Sequence, residues 1–211
     1  MPTTEDTGTI AWYDRNADLY AETHARGGAD ADLAAFIALI TPERGPILDW
    51  GSGPGNTAAI LASRGFVADA TDASPRMAEL AAGMGIRTRL EPFDALAPIP
   101  KYQGVWSNFG LQHVPIEHLP DLVGLANAAL LPNGVLHLGL TTGRERMGFA
   151  EGTWRDDAGV LSTHVAPETA ARIVQNAGLI LLAQRVGSFR MIVTGEMAFF
   201  TIILARKPAE G

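Results

Sequence analysis

The stretch that decides the fold reads Ile47-Leu48-Asp49-Trp50-Gly51-Ser52-Gly53-Pro54-Gly55-Asn56-Thr57. A short apolar run is followed by a glycine-rich turn and then by the start of a helix. This order predicts a buried strand that turns sharply, because glycines let the backbone reverse and let a ligand approach without meeting a Cβ atom. In open α/β folds the ligand crevice lies at the carboxyl ends of such strands. We therefore expect a binding site directly after Asp49.

Outward from this stretch, short apolar runs alternate with helical patterns. The predicted strands are 47–50, 66–71, 86–91, 105–109, 135–140, 179–186 and 199–206, and the predicted helices between them are 57–64, 75–82, 119–131 and 167–177. Because parallel neighbours need a crossover, this alternation predicts an open, doubly wound α/β fold with a mainly parallel seven-stranded sheet. The last two strands lack a clear intervening helix, so the final strand is expected to be antiparallel.

The chain of 211 residues is long enough for one well-filled domain, because domains cluster at about 100 to 150 residues. Helical composition before the first strand predicts N-terminal cap helices over residues 1–45, and the main α/β domain then covers 46–211. Residues 141–166 are far longer than an ordinary connection of about 4 to 6 residues. We predict that they form a lid insertion.

The composition excludes several classes of protein. A formal net charge of −7 repels phosphate backbones and anionic lipid, so we expect neither nucleic acid nor a membrane as partner. The absence of Cys rules out disulfides, thiolate nucleophiles and Cys-based zinc sites. The spacing of His113 and His118 does not suit two ligands on one helical face, and no metal site is predicted. The polar start of the chain lacks the pattern of a signal peptide, so we expect a cytoplasmic protein.

The charge of Asp49 argues against a phosphate ligand in the glycine-rich turn. A pyrophosphate at about 5 Å would be repelled by roughly 3 kcal/mol per charge at an effective dielectric of 20, and an ammonium would be attracted by a similar amount. The dinucleotide fingerprint also requires glycine where this chain has Asn56. The turn therefore favours a ligand that carries an amine, although a nicotinamide-dependent oxidoreductase of the same architecture remains the alternative.

A second acidic feature ends the second predicted strand, where Asp72 stands at the tip and Asp69 within the strand. A carboxylate at a strand tip can accept hydrogen bonds from both hydroxyls of a ribose. We therefore prefer Asp72 over Asp69 for this role. An acid before a helix is also favourable at the positive end of the helix dipole whatever is bound, which leaves a purely structural role open.

Together these residues resemble the class I S-adenosylmethionine-dependent methyltransferases, whose first motif is an apolar pair, an acid and then Gly-x-Gly-x-Gly. The resemblance covers most of the chain and implies that S-adenosylmethionine is the cofactor. It implies that Asp49 and the glycine loop hold the methionine end, Asp72 the ribose, and Asp94 with Ala95 the adenine. The implied cofactor-binding residues are Asp49, Gly51, Ser52, Gly53, Gly55, Asp72, Ala73, Met77, Asp94, Ala95, Asn108 and Tyr20.

The activity implied by the resemblance is methyl transfer to oxygen, nitrogen or sulfur of a small molecule, carried out by a methyltransferase domain over residues 46–211. Nucleobase and glutamine targets are disfavoured, because the Asn/Asp-Pro-Pro-Tyr/Phe tetrapeptide of amino-directed members is absent at Asn108. A non-catalytic S-adenosylmethionine-binding protein remains possible, since methyl transfer requires no invariant base.

Two further groups are candidates for the reaction itself. His113 has an unperturbed pKa of about 6.5 that suits a general base, but a His at this place in similar proteins also packs or caps. Arg144 and Arg146 in the predicted lid could bind a substrate carboxylate or could simply be solvated.

Overall fold

A computed structural model describes residues 4–25, 27–145, 148–191 and 195–209. The helices are α1 Thr7–Thr23, α2 Ala31–Ile37, α3 Asn56–Ser63, α4 Pro75–Gly83, α5 Leu119–Ala129 and α6 Pro167–Asn176. The strands are β1 Ile47–Trp50, β2 Ala68–Asp72, β3 Thr88–Leu90, β4 Tyr102–Asn108, β5 Leu130–Arg144, β6 Gly152–Arg155, β7 Leu161–His164, β8 Ile180–Arg190 and β9 Met197–Arg206. Residues 1–3 of the predicted cap and residues 146 and 147 of the predicted lid, Arg146 among them, lie outside the described residues.

The main sheet has seven strands in the order β3-β2-β1-β4-β5-β9-β8. Neighbours from β3 through β5 are parallel, whereas β9 is antiparallel to both β5 and β8. This confirms the predicted fold class, including the antiparallel last strand. After β1 the chain builds outward through β2 and β3, and it then returns to the other side of β1 with β4. The crevice outside the carboxyl ends of β1 and β4 is thus the topological switch point at which such sheets bind ligands.

Apolar side chains cover both faces of this sheet. One cluster joins β1, β4 and β5 to α5 and α6 and contains Trp50, Val105 and Leu122. The other lies beneath α2 and α3, where a Cβ atom built on Gly104 of β4 would stand 2.5 Å from the ring of Phe36. The glycine therefore lets α2 pack directly on the central strand, which fixes the N-terminal helices against the domain.

The predicted lid differs from expectation in its local structure. The sequence analysis predicts no strand in residues 141–166, yet Leu130–Arg144 continues as one strand, and Gly152–Arg155 pairs with Leu161–His164 as an antiparallel hairpin. These four-residue strands contain Thr, Ser, Trp and charged residues in place of an apolar run, so the periodicity signal is weak. The segment is thus an ordered hairpin rather than a loop.

In the described ranges, no helix is both long and apolar enough to cross a bilayer. No group of three or more His, Asp or Glu side chains in those ranges is placed to hold a metal ion.

Candidate cofactor and acceptor site

The glycine-rich turn between β1 and α3 has a backbone that other residues rarely adopt. Gly51, Gly53 and Gly55 have φ of +78°, +54° and +86°. A Cβ atom on Gly55 would lie 2.9 Å from the Cβ of Ala81 in α4, and one on Gly51 would lie 3.1 Å from the ring of Phe93. These glycines thus permit both the sharp turn and the close approach of α4. The turn leaves an open space at its outer side, and it suits a ligand that lies against the backbone.

Asp49 stands at the end of β1 and is only 3% exposed. Its Oδ2 accepts a hydrogen bond of 3.0 Å from the backbone N–H of Ala58 in α3, so the carboxylate is held at the start of that helix. The same residue lines the larger of two cavities. A negative charge in this place attracts a cationic group, as the sequence analysis predicts for the methionine end of the cofactor.

Asp72 ends β2 and binds the glycine turn. Its Oδ2 accepts from the N–H of Gly53 at 2.8 Å, and its Oδ1 accepts from the N–H of Ser74 at 2.9 Å. Burial raises the pKa of this carboxyl group, while the hydrogen bonds from the backbone oppose the rise. A carboxylate offers about four lone-pair sites, so each oxygen can still accept one ligand hydroxyl. Asp69, in contrast, pairs with Arg89 and Lys101 and lies in neither cavity lining.

Two adjoining cavities open at the carboxyl ends of β1 and β4. The smaller, of about 100 Å³, and the larger, of about 630 Å³, share a lining that includes Tyr13, Tyr20, Gly51, Gly53, Asn108 and His113. Ala73 and Met77 line the smaller cavity, and Ser52 lines the larger. The larger volume lies within the usual range for small-molecule sites, about 300 to 1,000 Å³. The structure thus gathers most of the predicted cofactor residues around one space.

Asp94 and Ala95 are the exceptions among the predicted residues, since neither lines a cavity. The carboxylate of Asp94 accepts from the backbone N–H and the hydroxyl of Thr4, at 3.1 and 3.0 Å. Its neighbour Phe93 does line the smaller cavity, together with Thr4 itself. Sequence reasoning missed both residues, because the motif signals the acid and says nothing of which neighbour faces the ligand.

His113 forms a buried pair with Tyr13 of α1. The Nδ1 of His113 lies 2.7 Å from the carbonyl oxygen of Leu161, which can only accept, so Nδ1 carries the proton and Nε2 accepts from the Tyr13 hydroxyl at 2.8 Å. Burial lowers the pKa of His113 to about 4, and burial also raises the pKa of Tyr13 well above its usual value. Both side chains are therefore neutral near pH 7. A proton from a ligand would reach His113 through the hydroxyl of Tyr13.

The β6–β7 hairpin and the start of α1 are joined over the cavities. Arg155 makes a two-pronged ion pair with Asp6, with nitrogen–oxygen distances of 3.0 and 2.7 Å, and the N–H of Leu161 donates to the Thr9 hydroxyl at 2.9 Å. Asp156, Ala158 and Val160 of the hairpin line the larger cavity. The predicted cap and the predicted lid therefore meet as one roof.

Comparison with known proteins agrees with this geometry. Residues 21–184 match a family described as a methyltransferase domain. Trans-aconitate 2-methyltransferase of Mycobacterium sp. (strain KMS) is 37% identical over 100 residues, which cover 46% of the chain and 38% of that relative. The chain thus matches less than two fifths of the length of the curated relative.

Solved structures show the same fold. A methyltransferase from Methanosarcina mazei described as S-adenosylmethionine-dependent aligns with a TM-score of 0.71 at 16% identity, covering 83% of this chain and 98% of that one. The 1,6-didemethyltoxoflavin-N1-methyltransferase of Burkholderia thailandensis, solved with its substrate and S-adenosylhomocysteine, aligns with a TM-score of 0.68 at 19% identity, covering 94% and 85%. With the family match over most of its length, and with Asp49, Asp72 and the glycine turn around one cavity, the chain belongs to the class I S-adenosylmethionine-dependent methyltransferases.

Proposed function

We propose that the chain transfers a methyl group from S-adenosylmethionine to a small-molecule acceptor that binds in the larger cavity. The observation that carries the proposal is the continuity of the two cavities across the glycine turn. The sulfonium of the cofactor supplies an already activated methyl group. The chain then needs to align donor and acceptor and to exclude water, which is consistent with a site that contains no ionised base.

Each part of the cofactor has a matching group in the chain. Asp49 would attract the ammonium of the methionine end, and Asp72 would accept from the ribose hydroxyls through its remaining lone pairs. Met77 and Phe93 would pack against the adenine in the smaller cavity. Asp94 would keep its bonds to Thr4 and thereby hold the N-terminal segment over the adenine, in place of the direct contact that the family resemblance implies.

His113 would not contact the acceptor directly. If the acceptor is a hydroxyl or an amine, Tyr13 can take up its proton while it passes its own proton to Nε2 of His113. The low pKa of His113 makes it a weak base, so this relay would contribute little for an acceptor that is already anionic. A carboxylate acceptor, such as the printed name of the mycobacterial relative specifies, would need no relay.

Calorimetry with S-adenosylhomocysteine tests the cofactor site. We expect Asp72→Asn to weaken binding by about 1.5 to 3 kcal/mol, the range for hydrogen bonds to a charged group. Asp69→Asn is the matched control, because it removes a carboxylate from the same strand outside both cavities. Equal affinities of the two variants would contradict the role of Asp72.

Turnover is tested by release of S-adenosylhomocysteine from S-adenosylmethionine in the presence of candidate acceptors. Trans-aconitate is the first defined acceptor to test, given the relatives. An extract of small metabolites, freed of protein, extends the assay to unknown acceptors. Tight binding of the cofactor without release by any acceptor would favour the non-catalytic alternative.

A further inference from the structure

Arg144 ends β5 inside the larger cavity, where its side chain is only 11% exposed. Its Nε is fully buried and has no hydrogen-bond partner in the described part of the chain. The nearest opposite charge is Asp156, whose Oδ2 lies 3.8 Å from Nη1, beyond hydrogen-bond distance. Arg144 thus presents a nearly buried guanidinium whose hydrogen-bonding groups are not used by these neighbours.

Such an arrangement is costly without a partner. A guanidinium carries five N–H donors and stays charged at all accessible pH values, so burial removes hydration that nothing replaces. Buried polar groups in folded proteins almost always have partners, and an exception calls for an explanation. Asp156 does not provide one, because its Oδ1 accepts from the N–H groups of Ala158 and Val160, which shapes the hairpin turn.

We propose that Arg144 binds a carboxylate of the methyl acceptor through a two-pronged contact. The proposal rests on the proposed function, because it names the chemical class of that acceptor. A planar guanidinium matches the geometry of a carboxylate, and such contacts are short and strong in a site shielded from water. The carboxylate would take the place of the solvent that the guanidinium lost on folding.

The rest of the cavity agrees with an acceptor of moderate charge. Trp12, Phe109 and Phe189 line it with aromatic surface, which suits an apolar body attached to the anionic group. Asp49 and Asp156 line the same space, so a dianionic phosphate ester would meet about twice the repulsion that a carboxylate meets. The cavity therefore favours a carboxylate over a phosphate.

Kinetics of Arg144→Gln and Arg144→Lys test the proposal, with Arg172→Gln as a control that removes an exposed arginine from α6. The acceptor source is a metabolite extract passed over an anion exchanger, which separates retained anions from the neutral and cationic flow-through. The retained anions should give S-adenosylhomocysteine. We expect Arg144→Gln to raise the half-saturating amount of this fraction by about 10- to 100-fold, and Arg144→Lys to restore part of the loss. The KM for S-adenosylmethionine should stay unchanged in all three variants.

The outcomes separate this inference from the proposed function. Product formed from the flow-through, product lost after the retained fraction is treated with phosphatase, or an Arg144→Gln variant that saturates like the wild type would each overturn the role of Arg144 alone. If neither fraction gives product with the wild type, the proposed function fails and this inference fails with it.

Stability of the ligand-free variants gives a second readout that a structural arginine would answer differently. A buried guanidinium without hydrogen bonds should contribute nothing to folding, so Arg144→Gln should melt at or above the temperature of Arg172→Gln. A clearly lower melting temperature for Arg144→Gln would mean that its ion pair with Asp156 stabilises the hairpin, and this result would overturn the binding role.

Discussion

Replacement of Gly55 by Ala should destabilise the protein more than replacement of Gly65 by Ala, although the two glycines have nearly the same backbone. Their φ angles are +86° and +84°. A Cβ atom on Gly65 would meet nothing within 4 Å, whereas one on Gly55 would lie 2.9 Å from the Cβ and 3.3 Å from the Cα of Ala81. The pair thus separates backbone strain from the close approach of α4 to the glycine turn.

The magnitudes follow from these contacts. A left-handed backbone costs an L-residue about 1 to 2 kcal/mol, and the smaller entropy of the unfolded chain offsets about 0.4 to 1 kcal/mol of this. Gly65→Ala should therefore lower the free energy of unfolding by about 1 kcal/mol. At Gly55 the helix backbone has to move, and overpacking of this kind adds about 1 to 3 kcal/mol. Gly55→Ala should lower the free energy of unfolding by about 2 to 4 kcal/mol.

Urea unfolding of the two variants measures this difference. The substitution Ala81→Gly removes the Cβ that Gly55→Ala would meet, so it should cost less in the Gly55→Ala background than in the wild type, with a coupling above about 0.5 kcal/mol. S-adenosylhomocysteine should bind Gly55→Ala more weakly than Gly65→Ala, because only the former displaces the turn. Equal losses of stability, together with no coupling to Ala81, would refute the reasoning.

Two further predictions concern the roof of the site. The unfolded chain takes up a proton on His113 below about pH 6.5 that the folded protein accepts only near its lowered pKa of about 4, so the free energy of unfolding should fall by up to about 3 kcal/mol as the pH drops through this window. His113→Gln should flatten a urea-derived stability profile between these pH values, and an unchanged slope would contradict a buried neutral His113. The ion pair of Asp6 with Arg155 joins α1 to the β6–β7 hairpin, so S-adenosylhomocysteine should slow amide exchange in both regions together, and Asp6→Asn should weaken this joint protection. Protection of one region alone would show that cap and hairpin respond separately.

The main sheet could be predicted because its signals are local. Each strand from β1 to β5 is an apolar run, and the helices between them have their own periodicity, so the alternation required a parallel sheet with crossovers. The antiparallel β9 followed from the missing helix after β8. The hairpin of residues 152–164 could not be predicted in this way, since its short strands are not apolar runs and are ordered by pairing with each other and by contacts with α1.

The predicted cofactor residues divide along the same line. Asp49, Asp72 and the glycines lie next to one another because parallel strands end at one edge of a sheet, and this neighbourhood follows from the motif order. The partner of Asp94 did not follow, since Thr4 lies 90 residues away and reaches it only through the path of the N-terminal segment. The function of an acid in a motif therefore depends on what the rest of the chain brings to it.

The sequence by itself determined the strand order of the main domain, the glycine turn and the acids at two strand ends, because these depend on residues that are close along the chain. Only the tertiary structure decided that His113 accepts from Tyr13 across 100 residues, that the hairpin closes over α1, and that Arg144 is held in the cavity without a hydrogen bond. Hydrogen-bond partners and burial of this kind depend on how distant elements pack, and no local pattern encodes that packing.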